Sequence, residues 1–65
     1  MRIQVNGCPR EVSATTLEAL LRELGYEDQK VGTAVNHEFV RDRDRQLKPL
    51  QEGDAVEIVT PRQGG

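Results

Sequence analysis

A single helical stripe of leucines limits the folds open to this chain. Leucines recur at the i, i+3, i+4, i+7 spacing that places side chains on one face of an α-helix. They are Leu17, Leu20, Leu21 and Leu24. Thr15 and Glu18 form a capping-box pattern at the start, and Gly25 predicts a left-handed C-cap at the end. Because only 35% of the 65 residues are hydrophobic, we expect this stripe to be core.

Short alternating segments on both sides of the helix predict β-strands. They are residues 2–5, 11–12, 31–35, 38–40 and 55–60. Ile3 and Val5 share the inward face of the first strand, whereas residues 31–35 are small or β-branched on both sides and leave their inward face open. Asn6-Gly7 and Asn36-His37 predict tight turns because asparagine and glycine tolerate positive φ.

The second half of the chain predicts one loop, one central strand and a tail. The charges of residues 41–45 alternate in sign, and the polar run of residues 41–46 indicates a solvated loop that Leu47 and Leu50 pin to the core. The last strand is expected beside the first, in the middle of the sheet, and Pro61 ends its pairing. The prediction is an α+β roll, residues 1–60, with a mixed sheet of about five strands on one main helix. Residues 61–65 are expected to form a flexible tail ending in Gly-Gly.

Composition excludes several classes of function. The net charge of −2 and a pI of about 5.3 give no electrostatic footprint for nucleic acid. Cys8 is the only cysteine, so an internal disulfide and a thiolate metal cluster are excluded, and we predict no metal site. No apolar run approaches a membrane span, and the expectation is a cytoplasmic protein with no membrane partner. His37, the only histidine, is expected at the surface without a catalytic role.

Several segments, taken together and in order, resemble the ubiquitin-like β-grasp sulfur carriers of the ThiS/MoaD-like family, most closely those of thiamine biosynthesis. These segments are residues 3–7, 16–21, 34–36 and 53–59, and Gly64-Gly65. His37 departs from the pattern, since many members have glycine after the asparagine of this turn. An Asn-His pair still accommodates a positive-φ turn, so the departure leaves the expected fold unchanged.

The resemblance implies a protein that carries sulfur on its C-terminal carboxylate and is no catalyst itself. An ionised carboxylate, with an ordinary pKa of about 3.5, is a poor electrophile and needs activation. The resemblance implies that an E1-like adenylyltransferase adenylates Gly65 with ATP, and that sulfur from a cysteine desulfurase then leaves a thiocarboxylate. Thiazole synthase is the implied acceptor. Gly64 would give the tail clearance in the active sites of both enzymes. No bound cofactor and a free monomer are expected.

The partner-binding residues are expected on the sheet face beside the tail. Candidates are Arg62, Gln63, Val59 and Phe39. For Phe39 the alternative is packing in the core. A sulfur-receiving role for Cys8 is the rival to the terminal carboxylate, but no helix N-terminus or recognisable cationic cluster accompanies this thiol in the sequence.

Three other functions stay open at this point. One is a sulfur carrier of another pathway, similar to the small subunit of molybdopterin synthase, which shares the roll and the Gly-Gly ending but is usually longer. The second is a ubiquitin-like modifier joined to lysines through Gly65. The third is a non-reactive β-grasp interaction module whose tail has no role.

Overall fold

The computed structural model describes residues 1–61. Its elements in chain order are β1 (Arg2–Val5), β2 (Cys8–Glu11), α1 (Leu17–Glu23), β3 (Gly32–Val35), β4 (Glu38–Val40), a 3-10 helix (Asp42–Leu47) and β5 (Ala55–Val59). The strands form one sheet of five strands in the order β2-β1-β5-β3-β4, so the expected mixed sheet and the central position of the last strand are confirmed. Within residues 1–61 no helix is long and apolar enough to cross a membrane.

Two tight hairpins flank the helix, as the asparagine turns predicted. Asn6 and Gly7 have φ of 52° and 83°, and Asn36 and His37 have φ of 51° and 71°. Positive φ at both central residues defines the type I′ turn, whose twist matches that of the paired strands. Histidine therefore occupies the left-handed position that glycine fills more easily, and it does so without disturbing the pairing of Val35 with Glu38.

The core lies between α1 and one face of the sheet. Leu17 and Leu20 are fully buried, and Leu24 is partly buried at the end of the stripe. Ile3 and Val5 point inward as expected. The inward face of β3, which the sequence left open, carries Thr33 and Val35, and the Thr33 hydroxyl donates a hydrogen bond of 2.8 Å to the Val40 carbonyl.

The helix begins one residue later than predicted. Thr16, not Thr15, is the N-cap, and its hydroxyl accepts a hydrogen bond from the Ala19 amide at 3.1 Å. The Thr15 carbonyl accepts from the Leu50 amide instead of a helix amide, which ties this segment to the residues between the 3-10 helix and β5. With this register Glu18 lies at the second helical position and forms no capping box.

The end of the helix agrees with its prediction. Gly25 has φ of +87°, its amide donates to the Arg22 carbonyl, and the Tyr26 amide donates to the Leu21 carbonyl. This pair of hydrogen bonds is the Schellman motif, which satisfies carbonyls that the last turn leaves open.

The charged segment after β4 is ordered rather than an irregular loop. It forms the 3-10 helix, and the guanidinium of Arg45 donates to the Val31 carbonyl at 2.6 Å and to the Thr33 hydroxyl at 3.1 Å. The prediction that Leu47 and Leu50 both pack against the core is correct for only one of them. Leu50 is buried, but the side chain of Leu47 is 75% exposed. Arg45 anchors this segment instead, because its guanidinium forms hydrogen bonds with polar groups at the start of β3, which a leucine side chain cannot do.

Candidate functional site

Strand β5 leads the chain out of the middle of the sheet. It pairs in parallel with β1 through Val5 and Val56, and antiparallel with β3 along its length as far as Gly32 and Val59. Its inward residues Val56 and Ile58 are buried in the core. A strand held on both sides and anchored in the core is a rigid base for the residues that follow it.

The turn asparagine Asn6 holds the end of β5 with its side chain. The Asn6 side-chain amide donates to the Ile58 carbonyl at 3.1 Å, and its oxygen accepts from the Ile58 amide at 2.9 Å. The Asn6 backbone amide also donates to the Val56 carbonyl. The side chain thus continues the parallel hydrogen-bond pattern beyond the last residue of β1, close to where the tail begins.

Asn36, in the second turn, holds the start of β5 with its side chain. Its side-chain oxygen accepts from the Ala55 amide at 3.0 Å, and its amide group donates to the Asp54 carboxylate at 3.0 Å. The sequence predicted both asparagines as turn formers, but it gave no sign that their side chains reach across to the same strand. The signal present in the sequence is an asparagine at the first position of each turn.

The outer face of the sheet, which α1 does not cover, has an apolar half and a polar half. On β3, β4 and β5 it presents Ala34, Phe39 and Val59 beside the carboxylate of Glu57, and Phe39 and Val59 are 72% and 64% exposed. On β1 the same face presents Arg2 and Gln4, both exposed. The apolar half therefore lies at the end of β5 from which the tail continues.

Two of the six predicted site residues lie close together in the described part of the structure. Phe39 and Val59 lie on the same exposed half of the sheet, so the alternative of core packing for Phe39 is wrong. Arg62, Gln63, Gly64 and Gly65 lie outside the described residues. The roles of all six in binding or chemistry stay predictions.

Two other side chains with reactive groups, Cys8 and His37, lie near opposite edges of the sheet. Cys8 is exposed at the start of the edge strand β2, and His37 is exposed in its turn. Among residues 1–61 no group of three or more His, Cys, Asp or Glu side chains is placed to hold a metal ion. The described part of the chain therefore offers a surface and a rigid strand end, rather than a pocket with reactive groups.

A mixed sheet of five strands packed on one main helix, with the last strand parallel to the first in its centre, defines the ubiquitin-like β-grasp class of protein. The crystal structure of the thiamine biosynthesis protein ThiS from Geobacter metallireducens superposes with a TM-score of 0.81 at 30% identity, over 100% of both chains. Its NMR solution structure gives a TM-score of 0.80 at 28% identity, over 100% of this chain and 88% of the other.

The model of the ThiS family matches residues 3–65. The sulfur carrier protein ThiS of Thermus thermophilus is 36% identical over 63 residues, which cover 97% of this chain and 98% of that protein. The chain belongs to the ThiS family.

Two further relatives are thiazole synthases in which a similar segment is one part of a longer chain. The protein from Paramagnetospirillum magneticum is 39% identical over 66 residues, covering 100% of this chain and 20% of that protein. The one from Magnetococcus marinus is 40% identical over 60 residues, covering 91% of this chain and 18% of that protein. This chain thus spans about a fifth of the length of either synthase.

Proposed function

We propose that this chain carries sulfur in thiamine biosynthesis as a thiocarboxylate on Gly65. The observation that carries the proposal is the match to the ThiS family, which continues through the terminal Gly64-Gly65. The full-length similarity to a sulfur carrier of Thermus thermophilus supports the same role. Membership of this family supports a small carrier protein rather than a catalyst, and the proposal adds that other enzymes act on it.

The chemistry of the carrier follows from its terminal carboxylate. A carboxylate oxygen of Gly65 attacks the α-phosphorus of ATP on an E1-like adenylyltransferase, and pyrophosphate leaves. The terminal sulfur of a persulfide derived from a cysteine desulfurase then attacks the acyl carbon, AMP leaves, and an acyl disulfide forms. A thiol attacks the inner sulfur of that acyl disulfide, which releases the thiocarboxylate and leaves a disulfide between the two thiol groups. The chain lacks a G-x-x-x-x-G-K-[ST] segment, so ATP binds to the partner. A terminus without side chains at its last two positions reaches the acyl adenylate site with little steric hindrance.

The proposed sulfur acceptor is thiazole synthase. Two proteins with that name contain a segment about 40% identical to this chain. Joining a carrier to the enzyme that takes its sulfur raises the effective concentration of the carrier at that enzyme, so the joined chains support thiazole synthase as the acceptor. The proposal places the docking contact on the apolar half of the outer face. Phe39 and Val59 are its anchors, because large exposed apolar side chains beside one another are typical of interaction sites.

Reconstitution of thiazole formation tests this function. The chain, ATP, the adenylyltransferase, a cysteine desulfurase and thiazole synthase are combined with the sugar phosphate and imine substrates. We expect sulfur-containing thiazole only when all components are present. A variant with one alanine added after Gly65 is the matched control, because it leaves the fold intact but moves the carboxylate away from the acceptor position. Product formation by that variant at the wild-type rate contradicts the proposal.

The same experiment separates the two pathways. If the chain instead serves another pathway such as molybdopterin synthesis, it forms the thiocarboxylate but yields no thiazole in this system. The match to the ThiS family over residues 3–65 favours the thiamine pathway.

A further inference from the structure

A notch in the apolar half of the outer face lies between the two exposed anchors. Its walls are Phe39 and Val59, and its floor is formed by Gly32 and Ala34, with a volume of about 220 Å³. For comparison, an engineered apolar cavity of about 150 Å³ accommodates a benzene molecule. This outer notch therefore has room for one apolar or aromatic side chain of another protein.

The floor of the outer notch is low because β3 has small residues where its neighbours have large ones. Gly32 is opposite Val59, and a Cβ at Gly32 would lie 3.1 Å from the Val59 Cγ2 atom. The φ of Gly32 is not in the left-handed region, so its backbone does not require glycine. Glycine inside a strand weakens it and often marks close approach of another molecule. The close contact with Val59 disfavours a larger residue at this position, and glycine in turn leaves the floor of the notch open to a side chain of another protein.

One carboxylate lies in the otherwise apolar lining of the outer notch. Glu57 is opposite Ala34, which in turn is opposite Phe39, so these side chains form one row across three strands. Within residues 1–61 Glu57 has no salt bridge, whereas Glu11 and Glu18 each have a cationic partner. An apolar notch with an exposed carboxylate at its side matches a partner that presents an apolar side chain next to a cationic one.

We infer that the outer notch receives a leucine, methionine or phenylalanine side chain of thiazole synthase, and that an adjacent lysine or arginine of the synthase pairs with Glu57. The inference rests on the proposed function, because it takes the apolar half of the face as the docking surface for that enzyme. The thiazole synthases that contain a carrier-like segment support this occupant over others, since the two units are parts of one chain there. Gly32, Ala34 and Glu57 then determine specificity.

Filling the notch tests its shape. The Ala34→Leu variant occupies the notch from its floor, and Gln4→Leu adds the same side chain to the polar half of the same face as a matched control. Binding of the full chain to thiazole synthase is measured by titration calorimetry, and unchanged thermal unfolding verifies the fold. We expect Ala34→Leu to weaken binding at least about tenfold and Gln4→Leu less than about threefold. Gly32→Ala, which narrows the notch, is the second variant and is expected to have an intermediate effect.

Reversing the charge tests the cationic neighbour. Glu57→Lys is expected to weaken binding about tenfold at about 50 mM NaCl and much less at about 500 mM, because salt screens the pair. Glu27→Lys, at an exposed position outside the sheet, is the control with the same change in net charge. Equal affinities of Glu57→Lys and the wild type at low salt overturn the cationic pairing.

The remaining outcomes separate this inference from the function on which it rests. If Ala34→Leu binds the synthase as the wild type does, the notch is overturned. It is also overturned if Ala34→Leu affects only binding to the adenylyltransferase, or only self-association in analytical ultracentrifugation, because the occupant is then another protein. Failure of the wild-type chain to form a thiocarboxylate refutes the proposed function instead, and that readout is independent of the notch variants.

Discussion

The side chain of Asn6 stabilises the fold through two hydrogen bonds with the end of β5. Its amide group makes hydrogen bonds of 3.1 and 2.9 Å with the carbonyl and the amide of Ile58. Asn6→Gly removes both while keeping a residue that accepts the φ of 52° at this position. At about 1 kcal/mol net for each bond, and up to about 1 kcal/mol for the added freedom of glycine in the unfolded chain, the free energy of unfolding falls by about 2–3 kcal/mol.

This loss is a large part of the stability of so small a domain. Each kcal/mol lowers the midpoint of thermal unfolding by about 4–8 °C in domains of about 60–100 residues, so a decrease of about 8–24 °C is expected. Circular dichroism on heating measures it, and urea unfolding supplies the free energy. His37→Gly is the control, because it places glycine at the second positive-φ position of the other turn, removes no hydrogen bond of the kind that Asn6 makes with Ile58, and relieves strain. An Asn6→Gly midpoint within about 2 °C of the wild type refutes the reasoning.

Three further changes test other parts of the account. Phe39→Ser is expected to slow thiazole formation in the reconstituted system and leave thermal unfolding unchanged, because the side chain is 72% exposed; a normal rate contradicts its role as an anchor. Leu20→Ala opens a cavity at a fully buried position and costs about 2–5 kcal/mol, which urea unfolding reports; a loss below about 1 kcal/mol contradicts the core assignment. Cys8→Ser is expected to form thiocarboxylate at the wild-type rate, measured by intact mass, and loss of that reaction revives the rival role of Cys8.

Much of the fold could be predicted because local patterns agree with the tertiary structure. The leucine stripe, the alternation of β5 and the two asparagine turns each determine a local geometry, and the core is consistent with all of them. The helix start could not be predicted, since Thr15 and Thr16 are equally good caps in isolation. The hydrogen bond from the Leu50 amide to the Thr15 carbonyl decides between them, and it joins residues far apart in the chain.

The segment after β4 shows the same limit. Leu47 was expected in the core because leucine is apolar, but the 3-10 helix directs it outward while Arg45 bonds to β3. Alternating charges gave no indication that one of the arginines would be partly buried. Its hydrogen-bond partners belong to residues 31–33, and only their position in the folded chain makes them available.

Only one part of the candidate site could be predicted from the sequence. The terminal glycines are visible in the sequence and point to carrier chemistry through the family they resemble. The outer notch is not visible there, because its shape depends on the register that sets Gly32 opposite Val59 and Ala34 opposite Glu57. In the sequence, Gly32 and Ala34 look like ordinary strand residues. They form the floor of the outer notch only because the neighbouring strands place larger side chains beside them.

The most direct test of the central claim is the mass of the intact chain after incubation with ATP, the adenylyltransferase and a sulfur source. We expect replacement of one oxygen by sulfur, located at Gly65 by fragmentation and dependent on ATP. The chain with one alanine after Gly65 serves as the control and is expected to keep its original mass. An unmodified wild-type chain in the presence of an active adenylyltransferase, or sulfur located at Cys8 instead of Gly65, contradicts the account.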